Sequence, residues 1–342
     1  MKSIKHILYL SLIIFVTGSC HKIFVDEEIK NTPMNNFITL WQVVDEHYCY
    51  FEEKNVDWNA VKNKYKGQIY DGMSDEQLFG VCARMIGELQ DGHVNLIAPF
   101  DVSRYWDWYQ DYPDNFNLDV VGRNYLKKDF VITSGMVANV LEPSGRNIGY
   151  MYYASFEDPL SNTGMKHLAS NFSNCNGIIL DIRHNGGGAA NNMFELLSYF
   201  TDKEEIVGLI RYKKGKGHTD FTDFIPEIVK SAGISDFSKK NIVVLTNRQS
   251  YSAANIFPGM MKNFPNVTVI GDRTGGGGAS PLSKDLPNGW AVRISSIGFF
   301  DTNKKTFEFG VDPDFFVETT LADAILGKDA IIEFAMDYLA QK

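Results

Sequence analysis

Four short stretches of this chain carry side chains able to do covalent chemistry together. An apolar run ends in Thr246-Asn247-Arg248-Gln249-Ser250-Tyr251, and a helix opens at Ser252-Ala253-Ala254. A serine at such a strand-to-helix junction can cap the helix. It can also attack a carbonyl, because the turn exposes its hydroxyl and the helix amino terminus favours negative charge beside it. Ser250 is an alternative cap, which leaves Ser252 free for either job. The stretch from Leu180 to Gly188 runs an apolar strand into Gly186-Gly187-Gly188. It is either a plain tight turn or a place where bare backbone N–H groups meet an oxyanion. Gln90-Asp91-Gly92-His93 supplies an imidazole that can accept a serine proton near neutrality, with His184 as the rival base and His47 and His167 as bystanders on helices. Phe307-Glu308-Phe309-Gly310 supplies a carboxylate able to orient that imidazole and stabilise its cation, or an ordinary strand-edge glutamate. Gly275 to Gly278 form a further flexible loop, suited to closing over a substrate or to linking two elements.

The elements that must position these groups follow from periodicity. Thr32 and Pro33 open a helix with Phe37, Leu40, Trp41, Val44 and Tyr48 on one face. Ser74 with Gln77 makes a capping box ahead of Leu78, Val81, Cys82, Met85, Ile86 and Leu89. Residues 32–90 therefore read as a helical subdomain. Residues 91–146 carry the His93 turn and an aromatic-rich connection that includes Tyr105, Trp106, Trp108 and Tyr109. From residue 147 to 342 strands and helices alternate: strands at 148–153, 177–182, 206–212, 242–245, 267–270 and 291–295, and helices at 157–173, 189–200, 252–264 and 321–340. That rhythm predicts a layered α/β domain with a largely parallel sheet.

With 342 residues, 44% of them hydrophobic and 22% charged, the chain can bury a large core without staples. Its net charge of −9 disfavours nucleic acid as a partner. Lys2, Lys5, the apolar run Ile7 to Val16 and the small residues Thr17-Gly18-Ser19 read as a signal peptide over residues 1–19, and its removal leaves −11. The ten-residue run is about 15 Å of helix, half of a ~30 Å hydrocarbon layer, so a permanent transmembrane helix is the weaker reading. Cys49, Cys82 and Cys175 lack metal-ligand spacing and allow at most one disulfide; no metal site and no cofactor are expected.

Together, Asp91-Gly92-His93-Val94, the Leu180 to Gly188 strand and glycines, Ser250-Tyr251-Ser252-Ala253-Ala254, Gly271-Asp272-Arg273-Thr274-Gly275-Gly276-Gly277 and Gly310-Val311-Asp312-Pro313-Asp314 resemble, in this order, the carboxyl-terminal processing (tail-specific) serine peptidases. Within that family they are most similar to the branch of the tricorn core and the interphotoreceptor retinoid-binding protein. The resemblance implies a ClpP/crotonase-like layered α/β catalytic domain behind a small N-terminal helical subdomain. It places the nucleophile on Ser252, the base on His93 and the bracing acid on Glu308. The oxyanion donors become the N–H groups of Gly187 and Ala253, with Gly186 or Gly188 as substitutes. Gly277 stands where the processing branch has a general-base lysine, so a Ser/Lys dyad is excluded, and Gly92 stands where the tricorn-like branch has a serine. The 54 residues between His93 and Ile148 are too few for the PDZ domain common in the family, so substrate tails are expected on Tyr105, Trp106, Trp108 and Tyr109. The amino end resembles a lipoprotein signal that lipidates Cys20, with residues 20–31 as a tether. The expectation is a lipid-anchored envelope protein, facing the periplasm or the cell surface, that takes peptide or protein substrates. Oligomerisation is compatible with the resemblance. A non-catalytic lipoprotein binding peptides or apolar ligands on the same fold is the alternative, and glycan recognition by the Tyr105 to Phe116 aromatics is a third.

Overall fold

The computed structural model describes residues 29–110, 112, 114–234 and 236–342. The expected signal peptide, most of the tether and Cys20 lie outside these residues. In chain order the elements begin with α1 (Pro33–His47), α2 (Trp58–Lys66) and α3 (Asp75–Gly87), then β1 (Asn95–Ile97). A short α4 (Leu118–Val120) runs on as a π-helical turn to Leu126, followed by β2 (Val131–Thr133), β3 (Met136–Leu141), β4 (Ile148–Tyr153), α5 (Asn162–Asn171), β5 (Gly177–Asp181) and α6 (Ala190–Ser198). Next come β6 (Glu205–Tyr212), β7 (Ile225–Val229), β8 (Asn241–Thr246), α7 (Ala253–Met261), β9 (Val267–Gly271), β10 (Ala279–Asp285) and β11 (Ala291–Phe300). The chain closes with β12 (Phe315–Phe316), α8 (Leu321–Ile325) and α9 (Ala330–Ala340).

A seven-stranded sheet in the order β12-β9-β8-β5-β4-β3-β2 forms the centre. Its strands are parallel from β12 to β4, and β3 and β2 add antiparallel. Both faces are covered, which is why β5 and β8 are apolar almost throughout. Ile178, Leu180 and Val244 point to one face, against Leu168, Met193 and Phe257 of α5, α6 and α7. Ile179, Val243 and Leu245 point to the other, against Ile331, Ala335 and Leu339 of α9.

The expected single sheet is corrected here. Residues 206–212 and 291–295 do not continue it; β6 and β11 belong to a second, antiparallel sheet ordered β1-β11-β6-β7, with β10 also paired to β11. The physical reason is the short Asp285–Ala291 connection, closed by the Leu286 N–H to Trp290 carbonyl bond and by Gly289 at φ 81°. A connection that short joins only antiparallel neighbours. This sheet packs on the helical region, where Phe37, Leu40 and Val44 of α1 and Val81, Met85 and Ile86 of α3 meet Val292 and Ile294. The capping box of Ser74 and Gln77 is formed. The closing helix expected over 321–340 is broken, because Gly327 takes φ 72° and the Asp329 carboxylate caps a new start by accepting from Ile331 and Ile332. Cys49, Cys82 and Cys175 are free, buried thiols.

Candidate active site

Strands β5 and β8 are parallel neighbours, so their carboxyl ends deliver the glycine loop and the Ser252 junction side by side. Ser250 Oγ accepts from the Asn247 N–H at 3.1 Å and donates to the Ile182 carbonyl at 2.9 Å, tying the two loops together. Ser252 follows at φ 57° and ψ −123°, a region that glycine visits freely and serine does not, and its side chain makes no capping bond. The hydroxyl is therefore presented, uncommitted, at the amino terminus of α7. Gly187, at φ 97°, lies against it: a Cβ there would come within 2.7 Å of Ser252 Cβ and 3.0 Å of the Ala253 nitrogen. Only glycine fits that approach. Gly187 donates its own N–H to Asn185 Oδ1 at 2.9 Å. A Cβ on Gly186 would meet nothing within 4 Å, whereas Gly188 is packed on the backbone of Phe156 and Glu157.

His93 is buried, held by its backbone N–H donating to Asp91 Oδ1 at 2.8 Å. Burial pushes its pKa down to about 4 against the pull of Asp91, so the imidazole is neutral near pH 7. Its ring lies 5.0 Å from that of Tyr251, which stacks on Trp108 at 4.0 Å. Among the described residues His93 Nδ1 has no hydrogen-bond partner, and neither does the buried Tyr251 hydroxyl. No hydrogen bond joins the imidazole to Ser252 or to Glu308 among the described residues. His184 stands elsewhere, its ring on Phe116 and its Nε2 3.7 Å from Asp114.

Glu308 joins this cluster through Lys54, which also faces Asp91. Its Oε2 accepts from the Gly278 N–H at 2.9 Å and its Oε1 lies 2.7 Å from Lys54 Nζ. Burial, with Asp91 adding to it, raises its pKa to about 7, and Lys54 opposes both. The Gly275–Gly278 loop links Ser252 to Glu308. Gly276 accepts from the Ser252 N–H at 3.0 Å, and Gly277 donates to the Glu308 carbonyl at 3.2 Å. A cleft of ≈370 Å³ opens over this loop, lined by Tyr105, Trp108, Tyr251 and Arg248 as well as Lys54 and Glu308. Trp106 and Tyr109 are not in its wall and stand exposed beside it.

Gly92 and Gly277 both lie against Tyr251. A Cβ on Gly92 would lie 2.4 Å from the Tyr251 hydroxyl, and one on Gly277 would lie 2.4 Å from its Cζ. The phenol ring fills the room those side chains would take. Sequence reasoning missed two residues of the site, Lys54 and Tyr251; Tyr251 adjoins Ser252, a position that could have drawn notice. No group of acidic, histidine or cysteine side chains suited to hold a metal ion occurs among the described residues.

The profile of peptidase family S41 matches residues 147–317, and that of the tricorn protease C1 domain matches residues 29–87. A solved structure of a putative peptidase from Parabacteroides merdae is 42% identical, with 91% of this chain and 97% of that one covered and a TM-score of 0.84. The photosystem II D1 C-terminal processing protease shares the fold at 18% identity and a TM-score of 0.53, over 87% of this chain and 98% of that one. A carboxy-terminal-processing protease from Bartonella bacilliformis is 27% identical over 46% of this chain and 34% of its own length. The chain spans between 23% and 39% of the length of the first curated relatives it matches.

Proposed function

The chain belongs to peptidase family S41, and from that premise we propose that it is a serine endopeptidase of the cell envelope acting on peptides or unfolded proteins. Ser252 Oγ attacks the scissile carbonyl, and His93 takes its proton and returns it to the leaving amine. Glu308 stabilises the imidazolium, and the oxyanion is received by the N–H of Ala253 together with that of Gly187, which must first leave Asn185 Oδ1, or with that of Gly186 or Gly188 as a substitute. The observation that carries this reading is the strained, uncapped Ser252 with Gly187 pressed against it, since neither feature serves helix formation. In the resting state Tyr251 lies against His93, and Trp108 stacks on Tyr251. The unpartnered Tyr251 hydroxyl and His93 Nδ1 make that arrangement easy to leave, and substrate arriving in the cleft displaces the stacked rings so that the relay closes. Tyr105 and Trp108 offer apolar surface to the peptide, and Trp106 and Tyr109 extend it outward.

The test is covalent labelling by a fluorophosphonate together with cleavage of a denatured protein. Ser252→Ala should abolish labelling and lower cleavage about 10³-fold or more, without change in thermal stability. A folded wild-type protein that neither labels nor cleaves would favour the second reading, a binding protein on this fold. The absence of an imidazole–hydroxyl bond among the described residues is the observation on that side. We further infer lipid anchoring through Cys20, which a Cys20→Ala chain found free of the membrane fraction would support.

A further inference from the structure

We propose that Lys54 is a positioning residue for this reaction: the helical subdomain carries its ammonium into the cleft, where it bridges the Glu308 and Asp91 carboxylates and keeps Glu308 charged and facing inward. The inference rests on the serine peptidase reading and adds to it that the helical subdomain completes the site.

The connection between α1 and α2 is folded to make this delivery. Tyr48 and Phe51 anchor it in the helical core, and the Lys54 N–H to Tyr50 carbonyl and Val56 N–H to Phe51 carbonyl bonds wind it into tight turns. Lys54 Nζ then lies 2.7 Å from Glu308 Oε1 and 3.9 Å from Asp91 Oδ2, and it donates to the Gln90 carbonyl at 2.8 Å. Its side chain is only 7% exposed although it lines the cleft. A lysine placed for solubility would not be buried against two acids.

Charge counting shows the use. Two carboxylates and one ammonium leave the cluster one negative charge in excess, the complement of an imidazolium formed at His93. Without Lys54, Asp91 and burial would both drive Glu308 toward its neutral form, which cannot stabilise that cation. The other ionisable groups facing Glu308 are Tyr48, Cys49 and Tyr50 on the α1–α2 connection and Tyr251 ahead of α7, all pushed up by burial and neutral at working pH. His93 is faced by Asp91, Lys54 and Arg293. Lys54 itself, despite burial, is held above its ordinary value by Asp91 and Glu308, so it stays charged across the range in which Glu308 titrates.

The experiment is the pH dependence of the fluorophosphonate labelling rate at Ser252, measured on wild type, Lys54→Arg, Lys54→Met, Glu308→Gln and the Lys54→Met/Glu308→Gln double variant. Wild type should gain rate as pH rises through about 7, where Glu308 ionises. Lys54→Met should move that limb up by a unit or more, a loss of about tenfold on its acid side that alkaline pH recovers. Lys54→Arg should keep the wild-type limb. The double variant should be no slower than Glu308→Gln alone, since both changes act through one carboxylate. It leaves Asp91 as the one buried charge of the cluster where Lys54→Met alone leaves two carboxylates, so it is the less strained of the two variants. A Lys54→Met limb at the wild-type pH, or losses that multiply in the double variant, would overturn the proposal while leaving Ser252 labelling intact. A wild-type protein that never labels would instead overturn the peptidase reading, and this inference with it.

Discussion

Arg183 and Lys54 are both buried cations lying between two carboxylates, one beneath the carboxyl edge of the seven-stranded sheet, the other at the wall of the cleft. Arg183 spends its guanidinium on Asp181 and Asp329 through bonds of 2.6 to 3.1 Å, and both acids have further donors. Tyr150 donates to Asp181, and Asp329 caps α9. Around Lys54 the bonding is left open: among the described residues, Asp91 Oδ2 and the neighbouring His93 Nδ1 have no hydrogen-bond partner. A planar fork fixes a structure, whereas a point charge on a flexible stem holds charges without exhausting their bonds. The first cluster ends a strand and starts a helix. The second is loaded for a proton that has yet to move.

The sharpest way to break this comparison is to remove the first cation. Arg183→Met strands two buried carboxylates and should cost about 3–5 kcal/mol in denaturant unfolding. A variant as stable as wild type would show that Asp181 and Asp329 do not depend on the fork. A second test uses pH. Glu308 is raised from 4.5 to about 7, so its contribution to stability is present below pH 4.5 and lost as pH climbs to 7. His93 is lowered from 6.5 to about 4, so its contribution is present above pH 6.5 and lost as pH falls to 4. The two slopes oppose each other over nearly the same window, and wild-type stability should be almost flat there. His93→Gln should leave stability falling with rising pH, and Glu308→Gln should leave it rising, each by at most about 1.4 kcal/mol per pH unit. Equal slopes in the two variants would put the charge elsewhere. The smallest effect is expected at Gly92→Ala, where the new methyl meets the Tyr251 hydroxyl; a loss of about 1 kcal/mol in thermal unfolding should shrink in a Tyr251→Phe background.

The parts of this molecule readable in sequence were those whose causes are local. Thr32 and Pro33, the Ser74–Gln77 box and the apolar runs of β5 and β8 each announce their element within a few residues. The glycines at 186–188 and the serine ahead of α7 are legible for the same reason. Lys54 was not, because a lysine in a polar turn reads as solvated; only the docking of the helical subdomain on β11 brings it to Glu308, 254 positions away. The antiparallel sheet escaped because β11, buried along most of its length, has the texture of a parallel core strand. The break near Gly327 is hidden because apolar residues on both sides, such as Ile325, Leu326, Ile331 and Ile332, continue a helical texture across it.

The backbone at Ser252 carries one more implication. At φ 57° and ψ −123° glycine would rest more easily than serine, and the helix that follows draws no cap from the hydroxyl. Thermodynamic selection alone therefore pulls this position away from the residue it holds. In a laboratory lineage bred for heat resistance and never asked to turn over a substrate, codon 252 should be among the first to drift, and the fold would survive its going.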